Sequence, residues 1–326
     1  MSTIRAAVIG AGSFGRNHAR AIAALDDVEL TAIVDVDLGL AQALAQEFKS
    51  QAFTRLDEVM GCTEAAIVAT PTSTHEEVTT RLLEAGIDVL VEKPIAHSAE
   101  AGDRLARLAE RQGRVLQVGH LERFNPAVVA LERMLSIPLF FEVHRLSVFT
   151  PRSLDVDVVL DLMIHDLDIV LTFTGEMPSE IRAAGISVLS QRVDIANVRL
   201  AFPSGCIANL TASRVSTEKV RKLRLFQPRQ YISLDYQRQD AVSVAVESSG
   251  SSSPGIGFEP LAVDRGEPLA LELRSFFASV RDRTTPLVTA VQASNALRVA
   301  EAILAKIKEH GELVAETIRR HSVTSR

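Results

Sequence analysis

The stretch Ile4-Arg5-Ala6-Ala7-Val8-Ile9-Gly10-Ala11-Gly12-Ser13-Phe14-Gly15 decides how the chain folds. Ile4 to Ile9 reads as a short apolar strand that runs into G-x-G-x-x-G. A helix follows, with Ala19, Ile22, Ala23 and Leu25 on one apolar face, and a second strand, Val28 to Val34, ends in Asp35. Strand, glycine turn, helix, strand, acid is the context that gives the glycine pattern meaning as a dinucleotide site. Gly10 permits the turn, Gly12 lets a pyrophosphate approach the backbone, and Gly15 lets the helix pack close to the sheet. The helix start then presents free N–H groups and its positive dipole end to the phosphates. Asp35, 20 residues past Gly15, can bind a ribose 2′-hydroxyl and would repel a 2′-phosphate, which favours NAD over NADP.

Outward from that unit the alternation continues. Leu38 to Phe48 is helical and Gln51 to Thr54 is a short strand. Ala65 to Ala69 is an apolar strand ending in Thr70-Pro71, followed by a helix to Ala85. Asp88 to Val91 is a strand stopped at Glu92-Lys93-Pro94, because Pro94 cannot donate to a ladder. A helix over Ser98 to Arg111 and a strand over Val115 to Val118 complete the series. Such alternation implies right-handed crossovers and a parallel sheet, with ligands bound at the strands' carboxyl ends. That places Lys93 where chemistry is done, although one lysine at a loop start is equally well a solvated surface group. His75, on the first turn of its helix, reads as a surface histidine or a cofactor contact.

Beyond Glu122 the pattern changes. Ala127 to Leu135 is helical, Leu139 to Ser147 is a strand, and Val156 to Phe173 is a strongly apolar helix. From Ile181 strands follow one another: Asp194 to Phe202 and Cys206 to Arg214 flank a Pro203-Ser204-Gly205 hairpin turn, and three more form a meander. Ser248 to Gly257 is Ser/Gly-rich and reads as a mobile loop. Helices over Leu269 to Arg281 and Val291 to Lys308 close the chain. The expected fold is α/β: a Rossmann domain over residues 1–122, then an α+β domain with a mostly antiparallel open sheet over residues 123–326, for substrate binding and oligomerisation. Lys219, Arg221, Lys222 and Arg224 are read as charges guarding an edge strand, with a phosphate-binding patch as the alternative, for which Arg152 is a second candidate.

Bulk composition narrows the class. The 326 residues exceed one ordinary core, and 47% hydrophobic with 23% charged residues is a globular balance. A net charge of -6 argues against nucleic acid as partner. No apolar run reaches the length of a membrane span, the N-terminal run is too short for a secretion signal, and Cys62 and Cys206 fit no metal pattern. The expectation is a cytoplasmic protein with reduced thiols, no membrane attachment and no metal.

Asp161 and His165 stand at i and i+4 on the apolar helix and share a face. Buried, they are either a pair that satisfies itself or a catalytic set. Oxidising a secondary alcohol requires removal of the hydroxyl proton, and histidine titrates nearest working pH. A carboxylate one turn away can orient the ring or bind a neighbouring hydroxyl, and a lysine cation stabilises the developing alkoxide. Asp166 and Asp168 read as capping or packing residues at the domain interface.

The glycine fingerprint, Glu92-Lys93-Pro94 and Asp161-x-x-x-His165 together resemble the glucose–fructose oxidoreductase and inositol dehydrogenase (Gfo/Idh/MocA) family over essentially the whole chain. That resemblance implies an NAD(P)-dependent dehydrogenase acting on CH–OH groups, with Lys93, Asp161 and His165 as catalytic lysine, aspartate and histidine. It implies Gly10, Gly12, Ser13, Phe14, Gly15, Asp35, Thr70, Pro71, His75, Glu92 and Arg123 as cofactor positions, and a homodimer or homotetramer built on the open sheet face. The runs Glu122 to Pro126, Arg152 to Val158 and Asp161 to Asp166 resemble UDP-N-acetylglucosamine 3-dehydrogenases, although Met163-Ile164 replaces the usual Gly-containing spacer. The implied substrate is a sugar or nucleotide sugar. A free-sugar or inositol dehydrogenase, or a non-catalytic dinucleotide sensor, is the alternative.

Overall fold

The computed structural model describes residues 3–150, 156–247 and 255–324, so Arg152 and Ser248 to Pro254 lie outside the described residues. Two compact units result, one of residues 1–124 and 266–295, the other of residues 125–265 and 296–326.

The first unit alternates β1 (Ile4–Ile9), α1 (Ser13–Ile22), β2 (Val28–Val34), α2 (Leu38–Phe48), β3 (Gln51–Phe53), β4 (Ala65–Val68), α3 (Thr72–Glu84), β5 (Asp88–Glu92), α4 (Ala99–Gln112) and β6 (Leu116–Gly119). The six strands are parallel in the order β3-β2-β1-β4-β5-β6. Strands this apolar fit a sheet covered on both faces, and every residue of β4 is buried. The order reverses between β1 and β4, where such sheets open a crevice at the strands' carboxyl ends. Local signals set the helix limits: Asp37 caps α2 by accepting from the N–H groups of Gly39 and Leu40, and Ser98 caps α4.

A helix after the second sheet, Pro268–Asp282, contributes Leu273, Phe276, Phe277 and Val280 to the core built by β1, β2, β4 and α1. A cut near residue 122 leaves this helix with the second unit. Its packing puts it in the first, because its apolar stripe joins α1 and α2 in the core on one face of that sheet.

The second unit holds α5 (Pro126–Glu132), β7 (Phe140–Val148), α6 (Ile164–Thr174), β8 (Glu180–Ile186), β9 (Ile195–Ala201), β10 (Ile207–Ser216), β11 (Val220–Gln227), β12 (Gln230–Asp235), β13 (Asp240–Glu247) and β14 (Gly255–Pro260). The helix Pro268–Asp282 is α7, and α8 runs over Ala290–Thr324. The eight strands lie in the order β14-β13-β12-β11-β7-β10-β9-β8, all antiparallel except the parallel pair β7–β10. One face carries Phe141, Val143, Val198, Leu210 and Leu225 against α5, α6 and α8. The opposite face carries Phe140, Glu142, His144, Asn197, Arg199, Asn209, Thr211 and Phe226 around an open depression of about 860 Å³.

Three expectations change here. β11, with its basic cluster, is not an edge strand but lies between β12 and β7, and Arg224 is paired with Glu142 at 2.8 Å. Charges tolerated at half-buried positions on an open sheet face look, in sequence, like edge protection. Gly255 to Gly257, read as part of the Ser/Gly loop, open strand β14. The apolar helix expected from Val156 begins as a π turn, Val159–Met163, before α6.

Candidate active site

The glycine loop follows β1 at the point where the sheet order reverses. Gly10 has φ +103°, and a Cβ there would meet the Ala69 carbonyl oxygen at 2.6 Å; at Gly15 it would meet the Gly10 carbonyl oxygen at 1.8 Å. Neither position tolerates a side chain. Above Gly12 a Cβ would meet nothing within 4 Å, and α1 starts with no side-chain cap. Open backbone at an uncapped helix start suits a phosphate. Ser13 and Phe14 are exposed beside it, Phe14 at 59%. Asp35 ends β2 with Oδ2 accepting from the Ala11 N–H at 2.7 Å and Oδ1 accepting from the Asp37 N–H at 2.9 Å. The carboxylate is thus latched to the glycine loop with lone pairs left for a diol. Thr70 and Pro71 follow β4 on the neighbouring strand end. These residues fit a dinucleotide.

Lys93 follows β5, one strand further on, and the Lys93–Pro94 bond is cis. Glu92 accepts from His18 Nε2 through Oε1 at 2.7 Å and from the Lys93 N–H through Oε2 at 3.3 Å. Burial would push the Glu92 carboxyl up. The hydrogen bond and charge of His18, with the charge and N–H of Lys93, outweigh it and hold Glu92 below the ordinary carboxylate range. Glu272 on α7 is the opposite case. Neither carboxyl oxygen has a partner among the described residues, and burial together with the Glu92 charge holds it well above that range. Two neighbouring carboxyls are thereby shifted in opposite directions from the ordinary carboxylate range.

His75 is buried at 1%, not a surface residue. Its Nδ1 lies 2.8 Å from the Pro94 carbonyl oxygen and its Nε2 2.9 Å from that of Thr70. Both ring nitrogens are engaged by main chain. Arg123 sits in a 3₁₀ turn, Leu121–Phe124, and is buried at 3%. Among the residues that shape this site, His18 and Glu272 escaped the sequence reading. The available signal for His18 was its spacing, four residues before Ile22 on the buried face of α1.

In the second unit Asp161 lies in the π turn and His165 in the first turn of α6, both half-buried. Single π turns inside helices recur at functional sites, since the extra residue re-aims side chains. Asp166, the next residue, faces Arg145 of β7 in a bidentate pair at 2.7 and 2.8 Å, with both side chains 2% exposed. Asp166 therefore belongs to an ion pair inside the second unit rather than to a cap. Asp168 is buried in the same helix. Lys93 stands in one unit, and Asp161 and His165 in the other.

Residues 4–120 match the family model of an oxidoreductase family with an NAD-binding Rossmann fold, and residues 140–230 match the GFO/IDH/MocA C-terminal domain. The UDP-N-acetylglucosamine 3-dehydrogenase of Acidithiobacillus ferrooxidans is 35% identical over 283 residues, covering 86% of this chain and 90% of that protein. A solved structure of that enzyme superposes with TM-score 0.90 at 32% identity, covering 95% of this chain and 99% of that one. An inositol 2-dehydrogenase of Rhizobium meliloti is 24% identical over 329 residues, covering 95% and 99%.

Proposed function

This chain belongs to the Gfo/Idh/MocA family of NAD-binding Rossmann oxidoreductases, and from that premise we propose that it oxidises the 3-hydroxyl of a UDP-N-acetyl amino sugar. The observation that carries the substrate is the similarity, along nearly the whole chain, to a UDP-N-acetylglucosamine 3-dehydrogenase. The match to inositol dehydrogenases supports a cyclic polyol as the second reading.

The first unit holds the dinucleotide through Gly10 to Gly15, Asp35, Thr70 and Pro71. The second supplies residues that act on the sugar. Bound NAD provides the hydride acceptor. His165 takes the hydroxyl proton as the carbon–hydrogen bond is broken, and Asp161 orients the ring or holds a neighbouring hydroxyl. The Lys93 ammonium stabilises the negative charge that grows on the oxygen. If His165 is the base, His165→Ala lowers turnover by about 10²–10⁴-fold and removes the ascending limb of the pH–rate profile, while NAD affinity is retained. A His165→Ala enzyme with an unchanged pH profile transfers the base role to Lys93.

The half-polar outer face of the second sheet, with Phe140 and Phe226 at one end of its middle strands, is our candidate for self-association into a dimer or tetramer, tested by analytical ultracentrifugation. Cytoplasmic residence is supported by two free thiols, Cys206 being pushed up to about 11 by its burial and by the Glu176 charge. No helix among the described residues is long and apolar enough to cross a membrane.

A further inference from the structure

We propose that two buried histidines, His18 and His75, are positioning residues that grip the Glu92-Lys93-Pro94 turn at its two ends and tie it to the two cofactor loops. The inference rests on the reading of Lys93 as catalytic.

At the first end, His18 projects from α1, whose start forms the glycine loop, and its Nε2 is 2.7 Å from the Glu92 carboxylate. That carboxylate cannot swing away. Its other oxygen accepts from the Lys93 N–H, and it lies so close over Gly119 of β6 that a Cβ there would meet Oε2 at 3.1 Å. At the other end, His75 projects from α3, which begins immediately after the Thr70-Pro71 loop. Its ring spans the Pro94 carbonyl at 2.8 Å and the Thr70 carbonyl at 2.9 Å. Both ring nitrogens thus lie within hydrogen-bond distance of main-chain carbonyl oxygens. A single side chain then stitches the residue after Lys93 to the end of β4.

Both rings are 1% exposed, on helix faces otherwise filled by Ala19 and Ile22 or by Leu82 and Leu83. An apolar residue would fill either place without the cost of burying a polar ring. What the histidines add is a fixed link. Each reaches from a helix that begins at a cofactor loop to one flank of Lys93. Misplacing a catalytic group by about 1 Å can cost roughly 10²-fold in rate, so the position of the lysine justifies two such links.

The test compares His18→Leu, His75→Leu, His18→Gln and Lys93→Ala, alone and combined. Each leucine variant is expected to lose about 10²-fold in kcat with little change in substrate KM, and His18→Gln, which keeps a donor toward Glu92, to recover most of it. In the Lys93→Ala background either leucine change should cost almost nothing more, because the group it positions is gone. A purely structural role predicts losses that multiply in full. Wild-type kcat in both leucine variants, or full multiplication with Lys93→Ala, overturns the clamp. Wild-type turnover in Lys93→Ala itself overturns the role given to Lys93, and the clamp with it.

Discussion

Replacing Asp166 by alanine breaks a buried ion pair that joins β7 to the helix carrying His165, and its cost follows from the geometry. The Arg145 guanidinium meets both oxygens of Asp166 at 2.7 and 2.8 Å, its carbon lies 5.0 Å from the Tyr236 ring centroid, and both charged groups are 2% exposed. An intact buried pair adds little to stability, because desolvating two ions offsets their attraction. Removing one partner takes the bidentate counter-charge from the other inside the core and costs about 3–5 kcal/mol. The Tyr236 ring faces the guanidinium with Asp166 in place as well, so it does not offset this cost. For a unit of 150–250 residues each kcal/mol lowers Tm by about 2–4 °C, so Asp166→Ala should melt roughly 6–20 °C below wild type in a circular-dichroism scan. The Arg145→Leu/Asp166→Leu double variant, with no charge left to strand, should regain most of that loss. A single variant within about 2 °C of wild type, or a double variant less stable than the single, refutes the reasoning.

Asp35→Ala removes the carboxylate that repels a 2′-phosphate, so the preference for NAD over NADP should narrow in fluorescence titrations; equal affinity of the wild type for both cofactors contradicts the assignment. Asp194 is fully buried and accepts from the Ser190 hydroxyl and the N–H groups of Leu189, Val188 and Ser190; burial pushes its carboxyl up, and these hydrogen bonds overcome it and bring it down to about 2. A depressed acid contributes stability above its unfolded pKa and loses it as pH falls through the folded one. Asp194 should therefore supply about 2.5 kcal/mol that disappears between roughly pH 4 and pH 2. Asp194→Asn should flatten that part of the acid-unfolding curve, and an unchanged curve sinks the attribution.

The first sheet was legible because its strands are buried on both faces and read as unbroken apolar runs between glycine and proline signals. The β9–β10 hairpin was legible from Pro203-Ser204-Gly205. The order of the second sheet was not. β7 pairs with β10 and β11 across more than sixty residues of chain, and no local pattern records such a partner. The same limit hid α7. Its apolar stripe says that it packs, not on which sheet. Among the candidate site residues, Gly10, Asp35, Lys93, Asp161 and His165 stood out in the sequence because their motifs are short or keep helical spacing. His75 read as a surface histidine or a cofactor contact, and its burial was hidden because its partners are main-chain carbonyls, which every sequence contains. Arg145 and Asp166 are an ordinary arginine and aspartate until β7 and α6 pack together.

The most direct test is to mix the purified protein with NAD and UDP-N-acetylglucosamine, alongside UDP-glucose, free N-acetylglucosamine and myo-inositol, and to follow the absorbance of the reduced cofactor. The account predicts reduction that depends on the UDP-amino sugar, is abolished in Lys93→Ala and His165→Ala, and yields a ketone at the sugar's 3-position by mass spectrometry. Reduction with inositol or a free sugar and none with the UDP-amino sugar would contradict it.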